Sequence, residues 1–126
     1  TVLQIFNFKQ TECLGHKALA TEDLGRYPHA IHSVFITHPE TGRKVLYVSR
    51  LLSARILEVP EDESDAVLEE LFTIAERPDF IYEHHWRPGD FLMWDNYCSM
   101  HARTHYEPSE RRLLRRCTVI GQALHE

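Results

Sequence analysis

At 126 residues, the chain has room for one domain, able to bury about two thirds of the surface its unfolded form exposes. Fourteen Lys and Arg against nineteen Asp and Glu leave a net charge of −5, which gives no reason to expect a nucleic acid or an anionic membrane as partner. No apolar run approaches the ~20 residues of a membrane span, the start lacks the basic-then-apolar pattern of a leader, and Cys13, Cys98 and Cys117 are far apart with no CxxC pair; reduced, buried thiols in a cytoplasmic protein are expected.

The chain opens on Thr1, without an initiator Met, which leaves room for a portion upstream. Residues 2–8, "VLQIFNF", are apolar at 2, 3, 5, 6 and 8, a pattern that fits a short strand or a core helix equally. Residues 9–30 are mixed and polar, with Gly15, Gly25 and Pro28, and are expected to form a loop. Two strands follow, "IHSVFIT" (31–37) and "VLYVSRL" (45–51). Pro39 and Gly42 of the intervening "HPETGRK" supply turn chemistry, so the pair is expected as a hairpin with a longer loop. The clearest helix is "PEDESDAVLEELFTIAE" (60–76). Acidic residues fill its first turn, where the helix dipole favours them, and Asp62 or Ser64 is the expected cap. Val67, Leu68, Leu71, Phe72 and Ala75 form one apolar stripe, and Arg77-Pro78 should end it. "FIYEHHW" (80–86), "FLMW" (91–94) and "RLLRRCTVIGQAL" (112–124) read as further strands, with "RPGD" (87–90) as a tight turn. The pattern is mainly β with one helix packed outside, a barrel or sandwich half.

The basic residues are uneven. Arg103, Arg111, Arg112, Arg115 and Arg116 fall within fourteen positions of an acidic chain, which suits a small anionic ligand better than a long polyanion. On a strand, Arg112 and Arg116 share one face and Arg111 and Arg115 the other. Two inward arginines are costly to bury unless an anion meets them, and a guanidinium fork fits a carboxylate. Among the nine histidines, His101 stands out because it follows "WDN" by a short loop and precedes those arginines by eleven and fifteen residues. His105 has two-ligand spacing from His101 only on a helix, and this segment reads as a loop, so His105 is taken as a bystander.

From about residue 33 to 121, "HPETGRKVLYVSRL", "SARI", "DESDAVLEELF", "WRPGDFLMWDN", His101 and "RRLLRRCTVIG" follow one another in an order that resembles the C-terminal part of the TauD/TfdA family of Fe(II)- and 2-oxoglutarate-dependent dioxygenases. The resemblance implies a single domain over 1–126 that forms part of a double-stranded β-helix, a jelly-roll or cupin-like fold. It implies that His101 is the distal histidine of a 2-His-1-carboxylate iron site. It further implies that Arg112 clamps the far carboxylate of 2-oxoglutarate, that Arg116 meets the acidic group of an anionic substrate, and that Trp94, Asp95 and Asn96 form a structural turn setting the loop that carries His101. The implied reaction is oxidative hydroxylation of a small organic substrate, with release of succinate and CO2. Relatives in this family act on sulfonates, aryloxy acids and sulfate esters, and the residues that choose among them fall largely outside the matching stretch.

The family's His-x-Asp (or Glu) motif is missing ahead of the hairpin. His38-Pro39-Glu40 has the letters, but it occupies the hairpin turn and is not expected to bind iron. Three explanations compete: a truncated chain, a degenerate relative that kept the fold, or ligands from another chain. Truncation is preferred, and this polypeptide alone is not expected to be active. The competing function is a non-catalytic β-helix remnant serving as a binding or assembly module. A cupin-like metal protein explains the strands but gives the arginines no role. A half-barrel leaves strand edges unpaired, so a homo-oligomer is expected.

Overall fold

A computed structural model describes residues 1–6, 25, 27–105, 107, 109–111 and 113–121. The order of elements is β1 (Val2–Ile5), β2 (His29–His32), β3 (Phe35–Thr37), β4 (Lys44–Leu46), β5 (Ser53–Ile56) and α1 (Glu61–Ala75), followed by a 3-10 turn over Pro78–Phe80. Strands are more numerous than helices, as the turn-rich, β-branched composition implies. Expected elements in 7–24, including the body of the 9–30 loop and Cys13, lie outside the described residues.

The ambiguous N-terminal run is a strand. β1 is the middle of a three-stranded antiparallel sheet in the order β2-β1-β5, and all four of its residues are buried. A central strand is covered on both faces, so its apolar run shows no alternation, which is why periodicity could not separate it from a helix. The expected strand over 31–37 is two: His29–His32 belongs to the first sheet, and Phe35–Thr37 turns away to pair with Lys44–Leu46.

That second pair is the expected hairpin. His38 and Gly42 close its loop through the bond from Gly42 N–H to the His38 carbonyl (2.9 Å) and that from His38 N–H to the Arg43 carbonyl (2.8 Å). Gly42 adopts φ +67°, the left-handed region that glycine enters without steric cost. Two contacts tie the hairpin to the sheet. Gln4 donates its side-chain amide to the Tyr47 carbonyl at 3.3 Å, and the His32 ring meets Tyr47 edge-on at 5.6 Å.

Helix α1 lies against β5. Val2, Val48, Ile56, Leu68 and Phe72 make the core, with Val34, Leu46, Val59 and Leu71 packed around it. The buried stripe is Ser64, Leu68 and Phe72, narrower than the expected one because Val67 lies toward solvent. The cap also differs. Pro60 occupies the N-cap with no side-chain hydrogen bond. Ser64, fully buried, instead accepts the backbone N–H of Ile56 at 2.8 Å, because its position one turn in faces β5. The helix stops before Arg77, which is extended at φ −58°, ψ 135°, as a residue ahead of proline must be.

The strands expected at 80–86 and 91–94, and the described part of 112–124, form no ladder. Their alternation survives: Leu92 and Trp94 are half-buried while Phe91 and Met93 are exposed, and the rings of Tyr82, His84 and Trp86, two residues apart, meet tilted at 6.1 Å and edge-on at 4.7 Å. A strand needs a neighbour for its N–H and C=O groups, and no such neighbour pairs with these segments among the described residues. No described helix is long and apolar enough to cross a membrane.

Candidate functional site

Two distant segments, the turn at residues 95–99 and the hairpin tip, bring His38, Asp95 and Cys98 together. Asp95 organises the turn. Its Oδ1 accepts the Tyr97 N–H at 2.8 Å. Its carbonyl accepts the Ser99 N–H at 3.1 Å and also the Ser99 hydroxyl. This is the side-chain-closed turn that aspartate favours. Trp94 donates its indole N–H to Asn96 Oδ1 at 3.0 Å, so all three residues of "WDN" belong to the turn, as the resemblance implied.

The Asp95 Oδ2 lies 3.0 Å from His38 Nε2. The opposite ring nitrogen, Nδ1, accepts the backbone N–H groups of Glu40 (3.2 Å) and Thr41 (3.3 Å). Those two bonds fix the tautomer: with Nδ1 an acceptor, the proton sits on Nε2 and is donated to Asp95. The His38 imidazole is buried while Asp95 is exposed. The Tyr97 N–H, and after it His38, hold the Asp95 carboxyl below the usual carboxylate range.

His38, Asp95 and Cys98 bring an N, an O and an S donor within 4.8 Å of one another. Glu40 takes no part in this group. The donor pattern argues against a ready metal centre, because a cation on Nε2 would have to replace the proton while Nδ1 still accepted two amide hydrogens.

His101 lies against Trp94, the residue before Asp95, with ring centroids 5.0 Å apart and planes tilted by 48°. It is exposed. His105 is also exposed, 4.0 Å from Glu107. His84 and His85 divide as neighbours on an extended chain do: His84 is half-buried, its Nε2 3.2 Å from Asp90 Oδ2 but off the hydrogen-bond axis, and His85 faces solvent. Arg111, Arg115 and Arg116 are exposed; Arg112 lies outside the described residues. Cys98 and Cys117 are free thiols but exposed, against the buried role expected of them, since each sits in a segment without a ladder to cover it. The contact that sequence reasoning missed is His38 with Asp95, which joins residues 57 positions apart.

The sequence model of the taurine catabolism dioxygenase TauD, TfdA family matches residues 7–118. The chain belongs to the TauD/TfdA family. The match starts earlier than the 33–121 stretch that carried the resemblance. Among relatives of this TauD/TfdA chain, a pentalenolactone F synthase of Streptomyces avermitilis is 40% identical over 90 residues, covering 71% of the chain and 29% of the relative. An (S)-phenoxypropionate/alpha-ketoglutarate-dioxygenase of Sphingobium herbicidovorans is 33% identical over 121 residues, 90% of the chain and 41% of the relative. An alpha-ketoglutarate-dependent 2,4-dichlorophenoxyacetate dioxygenase of a Burkholderia species is 41% identical over 86 residues, 68% of the chain and 29% of the relative. The chain therefore spans between 29% and 41% of the length of these proteins.

A facial iron site needs two imidazoles and a carboxylate on one side of the ion. Among the described residues, no group of three His, Cys, Asp or Glu donors includes His101. The described residues thus do not form that site by themselves.

Proposed function

We propose that this chain forms part of an Fe(II)- and 2-oxoglutarate-dependent dioxygenase that hydroxylates a small, anionic organic substrate in the cytoplasm, releasing succinate and CO2. The observation that carries this reading is the family match over residues 7–118, together with relatives named for alpha-ketoglutarate-dependent oxidation of aryloxy acids. Bound iron and 2-oxoglutarate would supply the oxidising chemistry, and the protein the geometry. In this reading His101 is one iron donor, with the other two coming from outside the described residues. Arg112 anchors the far carboxylate of 2-oxoglutarate, and Arg116 meets the acidic group of the substrate. A guanidinium serves both tasks because it presents paired donors to a carboxylate and stays charged. The irregular segments from residue 80 onward complete a jelly-roll β-helix when their neighbours are supplied, and an oligomer is one source of such neighbours.

The test is a hybrid in which residues 33–121 replace the matching segment of the Streptomyces avermitilis relative. The hybrid is expected to form succinate from 2-oxoglutarate in an Fe(II)- and O2-dependent reaction. His101→Ala should lower that rate by more than ~100-fold, since even residues that merely support a metal ligand cost about 10–100-fold. Arg112→Ala should weaken 2-oxoglutarate by about 2–5 kcal/mol, the range for removing one partner of a buried charge pair. A folded hybrid without turnover would favour the remnant reading, and undiminished turnover in His101→Ala would refute the role of that residue.

A further inference from the structure

We infer that the His38–Asp95 contact is a latch that positions His101, tying the turn ahead of it to the tip of the β3–β4 hairpin. The catalytic meaning of the latch rests on the proposed role of His101; the latch itself is defined without iron or 2-oxoglutarate.

Four observations converge on it. First, both ring nitrogens of His38 are committed, Nδ1 to the Glu40 and Thr41 N–H groups and Nε2 to Asp95 Oδ2. A buried imidazole held at both ends has one orientation. Second, Asp95 has two separate duties: Oδ1 closes its own turn on Tyr97, and Oδ2 reaches across 57 positions to the hairpin. Third, the aromatic ring of Tyr97 meets the His38 ring edge-on at 5.9 Å, and its hydroxyl sits 3.0 Å from where a Cβ on Gly121 would lie. The far end of the arginine-bearing segment therefore passes the same point. Fourth, Trp94, adjacent to Asp95, holds its indole against the His101 ring. Among the described residues the segment from 81 to 105 has no ladder to fix it, so a side-chain bond to a hydrogen-bonded hairpin is an effective anchor.

The same three donors, His38, Asp95 and Cys98, pose the rival reading of a small cation site. The tautomer decides between the two, because a metal on Nε2 excludes the proton that the latch requires.

Nuclear magnetic resonance on the metal-free 126-residue chain tests the latch. The nitrogen shifts of His38 should report the Nε2–H tautomer, and a cross-peak should join the Trp94 and His101 rings. His38→Ala and Asp95→Ala should each abolish that cross-peak and move the His101 ring signals to those of a free histidine, while the signals of Val2, Leu68 and Phe72 in the core stay in place. The double variant should do no more than either single change. The latch is overturned if the cross-peak persists in both variants, if their effects add in full, or if stoichiometric Zn(II) alone removes the His38 Nε2–H signal at neutral pH. If a variant loses its core signals, the wild-type chain decides: His38 as the Nδ1–H tautomer overturns the proposal, and as the Nε2–H tautomer with a scalar coupling to Asp95 supports it. Because no iron or 2-oxoglutarate enters, a failure here is separate from a failure of the dioxygenase reading.

Discussion

Single side chains in this fold are held by specific partners, and Ser64 gives a direct prediction. Ser64 is a helix residue whose hydroxyl serves the neighbouring strand, accepting the Ile56 N–H in a fully buried setting. Ser64→Ala leaves that N–H without a partner, at a cost of about 1–3 kcal/mol, so chemical denaturation should show a lower midpoint with an unchanged slope. Substitution of the exposed Asp62, the other expected cap, should change little. Asp95 and His38 mark the limit of reading single residues from sequence. Each was recognised as part of a turn, but a bond across 57 positions leaves no trace in local spacing.

Elements with local causes were legible, and those that depend on distant neighbours were not. Helix α1 announced itself through its acidic first turn, its apolar stripe and the Arg77-Pro78 stop. The β3–β4 hairpin did so through Pro39 and Gly42. In contrast, "FIYEHHW" and "FLMW" alternate correctly yet form no ladder among the described residues, because alternation specifies which side chains share a face, not whether a partner strand stands beside them. The union of α1 with the β4–β5 connection was likewise invisible. Arg50 there binds Glu69 at 2.7 Å and Glu76 at 3.1 Å, while its guanidinium lies over the Phe72 ring at 4.8 Å. All three charged side chains are a third or more exposed, so each ion pair is worth little. The pairs and the ring contact together should make Arg50→Ala cost about 1 kcal/mol. Phe72→Ala, which empties the core beneath, should cost about 3–5 kcal/mol. Thermal unfolding of the two variants checks the ranking, and an Arg50→Ala loss as large as that of Phe72→Ala would show the staple to be misjudged.

For the molecule as a whole, the contrast among the described residues lies between a packed part up to Ala75 and an uncovered part from Phe80 onward. The core residues sit between positions 2 and 72, whereas Phe80, Phe91, Met93, Val119 and Ile120 are between 66% and 97% exposed. Apolar surface on that scale marks an interaction face or an aggregation hazard. Light scattering at micromolar concentration should accordingly report a mass above that of one chain, and a stable monomer would count against the proposed assembly. Family membership was readable from the ordered run of motifs between residues 33 and 121, whereas the expected approach of His101 and Arg112 involves a residue outside the described ones. The central claim is that His101 donates to iron. It is tested most directly by titrating Fe(II) and 2-oxoglutarate, without oxygen, into the hybrid that carries residues 33–121, and following the weak visible charge-transfer band of the chelated oxo acid. The band should form with the native segment and disappear with His101→Ala; a band of full strength in His101→Ala, at the same 2-oxoglutarate concentration, would contradict the claim.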